Sequence, residues 1–207
     1  MAGHPHEYFE AGTERVNRAR WAVRWLEEYL ACVLAVGTTG NGVFAASVMW
    51  PNFAGLLDRI GESDLAAIER IFPQPRFVYL WREDVVAQAV SWSRAIQTGY
   101  YHHWDTAHGE ATFDSEQIDA LVREASENRA AWRRWFEAYG IEPLRIRFEE
   151  LVREKEAMAL RVLAFLGIEL PEGATIGERT AKAPDAGDDD WLARYRSLRS
   201  SPPRDRA

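Results

Sequence analysis

Lysine is nearly absent from this chain. Lys155 and Lys182 are the only lysines among 25 basic residues, so the remaining 23 are arginines. A phosphate-binding loop of the kinase or NTPase type needs the pattern G-x-x-x-x-G-K-[ST], and neither lysine follows a glycine run. The glycine-rich stretch 37–42 precedes a predicted strand, whereas a phosphate loop follows a strand and opens a helix. We therefore predict a turn there, and no phosphate loop of this type.

Cysteine and long apolar runs are equally scarce. Cys32 is the only cysteine, which excludes disulfides within the sequence and zinc sites built on cysteine. It lies in an apolar helical pattern that predicts a core position. The sequence contains no run of 18 apolar residues and no basic stretch followed by an apolar one. These absences predict a cytoplasmic protein without a transmembrane segment.

Positive charge is outweighed by negative charge. The net charge of −7 argues against a nucleic-acid-binding protein, which should carry a basic face. Hydrophobic residues make up 47% of the chain and include nine tryptophans, which indicates a globular protein. The length predicts one domain over residues 1–199, followed by a disordered tail at 200–207.

Strand and helix patterns alternate along the chain. Short apolar, β-rich segments predict strands at 43–50, 76–81 and 144–148. Helical periodicity predicts helices at 14–36, 52–60, 64–71, from Val85 onward, 117–139 behind a cap at Ser115, 149–166, and after a cap at Asp190. Strands that alternate with helices favour an α/β fold with a parallel central sheet flanked by helices.

The segment from Arg76 to Thr98 carries the strongest functional signal. Its first six residues predict a strand buried on both faces, and a helix follows behind the cap candidate Asp84. Arg82 therefore stands at the carboxyl end of a strand, where open α/β sheets bind their ligands. Its planar guanidinium suits a phosphate group, although a surface arginine paired with Glu83 or Asp84 would leave the same pattern.

Five segments in order resemble the bacterial trehalose 2-sulfotransferase family. They are GHPHEYF at 3–9, NGVFAASVMW at 41–50, REDVVAQAVSWSRAIQTG at 82–99, LRIRFEEL at 144–151 and ERTAKAPDAGDDDWLARYR at 178–196. The resemblance implies a sulfotransferase fold, related to that of P-loop NTPases. It also implies that the enzyme moves a sulfuryl group from 3′-phosphoadenosine 5′-phosphosulfate (PAPS) to a sugar hydroxyl, with no metal.

One unit of that family is not found in this sequence. Its first strand and the loop that holds the 5′-phosphosulfate precede the G-x-P-x-E-[FY]-F signature, which begins here at Gly3. We therefore expect an N-terminally truncated sequence, a hypothesis that an in-frame stop codon just upstream of Met1 would overturn. A parallel sheet without that strand would expose an open edge, and the chain would be poorly soluble or would associate.

The resemblance also assigns roles to residues. It makes Glu7 the general base, with His4 and His6 as the fallback because imidazole titrates near neutral pH. It makes Arg82 and Ser91 the grip on the 3′-phosphate of PAPS, while Ser93 is expected on the helix surface. Arg179 and Lys182 are expected to cover the nucleotide phosphates or to lie on a solvated turn.

The acceptor residues are less sharply defined. The predicted set is His6, Tyr8, Gln97, Tyr101 and Trp104, with Arg94 and Tyr100 as further candidates. The aromatic side chains could stack on a sugar ring or anchor their loop to the body of the protein. The histidines at 102, 103 and 108 have no partner at metal-ligand spacing, so we predict no metal site. Ser47 stands where the family often carries lysine, which puts the acceptor and the rate in question.

The leading hypothesis is a PAPS-dependent carbohydrate sulfotransferase that acts on trehalose or a related glycan or glycolipid. The family resemblance suggests a homodimer. One alternative is an inactive truncated remnant that binds adenosine 3′,5′-bisphosphate or a partner chain. Another is a helical interaction protein without a nucleotide site, in which Arg82→Ala would change no ligand binding.

Overall fold

The computed structural model describes residues 2–61, 65–101, 105–170, 173, 175–176 and 186–200. The chain divides into two compact units. The first unit comprises residues 1–81 and 128–174, and the second comprises residues 82–127 and 175–207. The expectation of one domain over residues 1–199 stays a prediction. Apart from Ser200, the predicted tail lies outside the described residues.

The described residues form helices around a small parallel sheet. The helices are α1 Ala11–Trp21, α2 Leu26–Gly37, α3 Trp50–Ile60, α4 Leu65–Ile71, α5 Val85–Thr98, α6 Ser115–Ala138, α7 Phe148–Arg153, α8 Lys155–Leu166 and α9 Ala186–Ser200. The strands are β1 Val78–Trp81 and β2 Leu144–Arg147, which pair in parallel with Val78 opposite Leu144 and Trp81 opposite Arg147. This arrangement confirms an α/β fold with a parallel sheet.

Aromatic side chains fill much of the core of the first unit. Phe53 of α3 lies 4.8 Å from the rings of both Trp132 and Trp135, which come from the second half of α6. Phe136 of the same helix lies 5.6 Å from Tyr79 of β1, measured between ring centroids. Such edge-to-face and offset contacts add about 0.5–1.5 kcal/mol each to ordinary burial. They fix α3 and this half of α6 against the sheet.

The second unit has its own core. It is built from Ala89, Val90, Ile118, Leu121 and Tyr195, which come from α5, α6 and α9. Ile118 and Val90 are completely buried. The Tyr195 hydroxyl also donates a hydrogen bond to Asp119, so both apolar packing and a hydrogen bond hold α9 against α6.

The prediction of one continuous helix over residues 14–36 is wrong, because the structure has two helices there. α1 ends at Trp21, its C-cap Ala22 has a φ of 53° in the left-handed region, and α2 begins only at Leu26. The Glu28 carboxylate accepts hydrogen bonds from the backbone N–H groups of Arg24 and Trp25, at 3.0 and 3.1 Å. This contact starts a new helix inside a sequence whose apolar periodicity reads as unbroken.

The predicted strand 43–50 is also wrong. Among the described residues this stretch forms a single antiparallel bridge, between Phe44 and Thr38, and Trp50 already belongs to α3. The Ser47 N–H donates to the carbonyl of His6 at 3.0 Å, so the extended backbone pairs locally with the N-terminal segment. Pro51 in the first turn of α3 favours helix initiation at this point.

The strand at 76–81 is shorter and less buried than predicted. β1 begins at Val78, and the side chains of Val78 and Leu80 are 40% and 51% exposed. A strand buried on both faces is therefore wrong for the described structure. Within the described residues β1 pairs with β2 along one edge, and the two exposed side chains share one face.

The predicted helix starts were correct for α5 and wrong for two others. Asp84 caps α5 by accepting from the Ala87 N–H at 2.9 Å, as expected. Asp114, not Ser115, caps α6, because its Oδ1 accepts from the N–H groups of Glu116 and Gln117. Asp190 lies inside α9, which begins at Ala186.

The predicted helix 149–166 is interrupted at Glu154, where φ is −131° and ψ is 50°.

Candidate nucleotide and acceptor site

Arg82 occupies the junction between the strand and helix that the sequence predicts. It directly follows Trp81, the last residue of β1, and its half-buried side chain precedes the first turn of α5. The neighbouring Asp84 accepts through Oδ1 from the Ala87 N–H and through Oδ2 from Arg196 of α9 at 2.6 Å. Both carboxylate oxygens of the cap residue Asp84 are therefore hydrogen-bonded, which holds the start of α5 in place.

The two serines of α5 have different environments. Ser91 is half-buried, as suits a residue that meets a ligand at the surface. Ser93 is completely buried, and its hydroxyl donates to Oε1 of Gln117 at 2.5 Å. The prediction that Ser93 lies on the helix surface is therefore wrong. Two positions separate the serines, which places them on different faces of the helix.

Gln97 is held in a network at the other end of α5. Its Oε1 accepts from the Thr112 N–H at 2.7 Å, and its Nε2 donates to the Thr112 carbonyl and to Oε1 of Gln117, both at 3.0 Å. The side chain thus pairs with the Thr112 backbone as a neighbouring strand would. This contact fixes the loop that leads into α6.

A cleft of about 550 Å³ opens beside this network. Its wall is formed by the following residues of the second unit: Gln97, Thr112, Phe113, Asp114, Ser115, Glu116, Gln117, Arg194 and Leu198. The guanidinium of Arg194 lies 4.2 Å from the centre of the Phe113 ring. Amide, hydroxyl and carboxylate groups beside an aromatic ring could bind a small hydroxyl-rich molecule, and the volume falls in the range of small-molecule sites.

The loop after α5 contains further predicted acceptor residues. Tyr101 is 55% exposed, and its backbone N–H donates to Asp105 at 2.9 Å. Tyr100 is 37% exposed. Arg94, by contrast, pairs with Asp188 at 3.2 Å and lies over the Trp191 ring, which occupies it within the second unit. Trp104, Arg179 and Lys182 lie outside the described residues.

Glu7 belongs to the first unit, in a segment whose backbone is held at several points. The His4 N–H donates to the Gly37 carbonyl at 2.9 Å, and the His6 carbonyl accepts from the Ser47 N–H at 3.0 Å. Gly3 has a φ of 79°, and a Cβ there would lie 2.5 Å from the backbone nitrogen of Ala45. Only glycine permits so close an approach, which explains its place in the motif.

The side chains of this segment divide between the surface at its start and the core at its end. Tyr8 and Phe9 are buried in the core of the first unit, and the Tyr8 hydroxyl donates to the His4 carbonyl at 2.9 Å. The Tyr29 hydroxyl in turn donates to the carbonyl of Tyr8 at 2.5 Å. His6 is exposed and Glu7 is half-buried. Burial of Tyr8 anchors the segment and leaves the flanking polar side chains nearer the surface.

Of the residues that line the cleft, the sequence predicted only Gln97 as a site residue, and those it missed include Thr112, Gln117 and Arg194. Gln117 follows a cap-like D-S-E pattern, but its role depends on Ser93 and Gln97, which are distant in sequence. Within the described residues no group of three or more His, Cys, Asp or Glu side chains could hold a metal ion. In that part of the chain, no helix is long and apolar enough to cross a membrane.

Comparison with known proteins agrees with the motifs found in the sequence. The model of the Stf0 sulphotransferase family matches residues 1–198. The chain belongs to this family. The predicted resemblance to sulfotransferases is thereby confirmed. Membership of this family supports the interpretation of the chain as an enzyme that transfers a sulfuryl group.

Two curated relatives are both named trehalose 2-sulfotransferase. A trehalose 2-sulfotransferase of Mycobacterium tuberculosis is 33% identical over 186 residues, which cover 84% of this chain and 67% of that protein. A trehalose 2-sulfotransferase of Mycolicibacterium smegmatis is 30% identical over 176 residues, which cover 79% of this chain and 64% of that protein. The Stf0 chain described here therefore matches about two thirds of the length of each.

Proposed function

We propose that the chain acts as a PAPS-dependent carbohydrate sulfotransferase. The observation that carries the proposal is the position of Arg82, directly after β1 and two residues before the Asp84 cap of α5, with Ser91 nine positions further on. Arginine at the carboxyl end of a parallel strand offers a charged fork to a phosphate group, and a helix hydroxyl can add a further hydrogen bond. We assign both to the 3′-phosphate of the donor, and we assign Arg179 and Lys182 to a segment that covers the nucleotide phosphates.

The proposed reaction transfers one sulfuryl group. The acceptor hydroxyl oxygen attacks sulfur, the bond between sulfur and the phosphate oxygen breaks, and adenosine 3′,5′-bisphosphate leaves. Glu7 takes the proton of the attacking hydroxyl, a step worth roughly 10²–10⁴ in rate for a positioned base. Positioning and charge stabilisation supply the rest, as in phosphoryl transfer.

We propose a sugar as the acceptor, of the trehalose type or a related glycan or glycolipid. The relatives' names and the polar cleft beside Gln97 support this choice. His6, Tyr8, Tyr101 and Trp104 are the other proposed acceptor residues, and Tyr8 would act by anchoring its segment, because its side chain is buried. A homodimer and a cytoplasmic location also stay predictions.

The first test measures binding of adenosine 3′,5′-bisphosphate through the shift that it causes in the thermal unfolding temperature. Ligand at a hundredfold over its dissociation constant should stabilise the protein by about 2.7 kcal/mol. In a protein of this size each kcal/mol corresponds to roughly 2–4 °C. The shift should disappear in Arg82→Ala and persist in Arg123→Ala, which removes an exposed arginine of the same unit. A shift that survives Arg82→Ala would remove Arg82 from the donor site.

The second test is transfer of labelled sulfate from PAPS to trehalose. Glu7→Gln should lower the rate by about 10²-fold or more without weakening nucleotide binding, whereas the exposed control Glu69→Gln should not. Nucleotide binding without transfer to any sugar would instead favour the inactive remnant.

A further inference from the structure

Three arginines gather around one tyrosine on the first unit. Arg145 lies directly opposite Tyr79 in the register of the two strands. Arg129 and Arg133 lie one turn apart on α6, next to Phe136, whose ring contacts Tyr79. We call Tyr79, Arg129, Arg133 and Arg145 the arginine cluster. Burial raises the pKa of the Tyr79 hydroxyl, and the charges of all three arginines act in the opposite direction.

Little negative charge within the described residues balances this cluster. Arg129 and Arg145 have no carboxylate within ion-pair distance in that part of the chain. Arg133 reaches Glu137 only at 3.8 Å, between side chains that are 66% and 65% exposed, a pair of small energetic value. Several other arginines of the described residues are bound to carboxylates, as in the pairs Arg18 and Arg59 with Glu14, Arg94 with Asp188, Arg147 with Glu150, Arg196 with Asp84 and Arg199 with Asp119.

One member of the cluster is already held in place. The guanidinium of Arg129 lies 4.2 Å from the centre of the Trp81 ring, a cation–π contact. The planar head of a stacked arginine loses less freedom when it forms hydrogen bonds to an anion. Concentrated positive charge on a protein whose net charge is −7 attracts anions specifically to that spot.

We propose that the arginine cluster binds a phosphate or sulfate monoester of a second ligand. Several guanidinium forks and a tyrosine hydroxyl suit the tetrahedral oxygens of such a group better than a single carboxylate. The cluster shares no residue with the set assigned to the donor. The anion can come from a soluble ester or from a lipid headgroup, which present the same chemistry.

The test measures anion binding to the full chain at constant ionic strength. Probes are inorganic phosphate, glucose 6-phosphate, and phosphatidylcholine vesicles with and without phosphatidic acid. The double variant Arg129→Gln/Arg145→Gln should weaken binding at least tenfold. The control Arg20→Gln/Arg134→Gln removes the same charge from exposed arginines of the same unit and should change binding less than twofold.

The arms of the experiment separate the outcomes. Binding of glucose 6-phosphate identifies a soluble ester, and binding of acidic vesicles alone identifies a headgroup; either supports the proposal if the cluster variant loses it. No binding of any probe, or an equal loss in both double variants, overturns the proposal. Loss of adenosine 3′,5′-bisphosphate binding in the cluster variant also overturns it, because the cluster would then belong to the donor site. Arg145→Lys, which keeps the charge without the fork, should show an intermediate loss, and circular dichroism checks that each variant is folded.

Discussion

Two serines on one helix allow ligand binding and stability to be separated at the level of single residues. Ser91 and Ser93 lie about 200° apart around α5. We expect Ser91→Ala to weaken binding of adenosine 3′,5′-bisphosphate with little effect on unfolding. Ser93→Ala should cost about 1 kcal/mol of unfolding free energy through the lost bond to Gln117, and leave nucleotide binding intact. Urea denaturation and calorimetric titration of both variants check this, and the opposite assignment of effects would show that Ser93 is the ligand residue.

Glu14 is a buried carboxylate shared by two arginines. Its side chain is 11% exposed and accepts from Arg18 Nε at 2.7 Å and from Arg59 Nη1 at 2.7 Å, so it joins α1 to α3. We expect Glu14→Gln to lower the unfolding free energy by about 2 kcal/mol, since bonds to charged partners are the strong ones. Urea denaturation measures the loss, and the exposed control Glu124→Gln should change stability by less than about 0.5 kcal/mol. Equal stability of the two variants would show that the three charges merely offset their own desolvation.

Residue-scale prediction from the sequence succeeded where a local rule applied. Arg82 and the Asp84 cap follow from a change of hydrophobic period at one point of the chain, and both lie where that change predicts. Ser93 could not be placed, because its burial depends on Gln117, which is 24 residues away. The proposed roles of Glu7, Arg82 and Ser91 derive from family resemblance and stay predictions.

At the scale of elements, the start of α1 depends on an ionised side chain. Glu10 accepts from the N–H groups of Gly12 and Thr13 at 2.9 and 2.6 Å, and these hydrogen bonds lower the pKa of its carboxyl group. A carboxyl group whose pKa is lower in the folded than in the unfolded state stabilises the fold at pH values above the ordinary glutamate pKa of about 4.3. That stability is lost as the pH falls through the folded value.

We therefore expect Glu10→Gln to flatten the dependence of stability on pH in this acidic range. At pH 7 the variant should lose about 0.5 kcal/mol, the lower end for a helix cap, because the side chain is partly solvated. Urea denaturation at several pH values measures both effects. The control is Glu27→Gln, whose carboxylate makes no hydrogen bond within the described residues. A pH profile unchanged by Glu10→Gln would mean that the cap contributes nothing to folding.

Element boundaries show where sequence patterns fail. The apolar periodicity of 14–36 continues across Ala22, yet the Glu28 carboxylate starts a second helix, a contact that periodicity does not encode. The stretch 43–49 has strand composition but pairs with the N-terminal segment at isolated points. Propensity describes a local preference, and the partner decides whether an extended segment becomes a strand.

At the scale of the whole molecule, alternation of strand and helix patterns was enough to predict the α/β class and the parallel pairing. It could not predict the division into two compact units, because residues 82–127 interrupt the first unit in sequence. The apolar pattern of β1 predicted a strand buried on both faces, but Val78 and Leu80 are largely exposed. These two side chains therefore form an apolar patch on the surface.

An exposed apolar strand face beside a strand edge is a site of association. We expect the chain to associate as its concentration rises, and Leu80→Lys to reduce that association. The substitution should change unfolding free energy by no more than about 0.5 kcal/mol, because the Leu80 side chain is already 51% exposed. Sedimentation velocity over a range of concentrations measures the effect. Val16→Lys, at a side chain of α1 that is 61% exposed, is the matched control. If both variants sediment as the wild type does, association uses another surface; if only Leu80→Lys stays monomeric, the face of β1 is the contact.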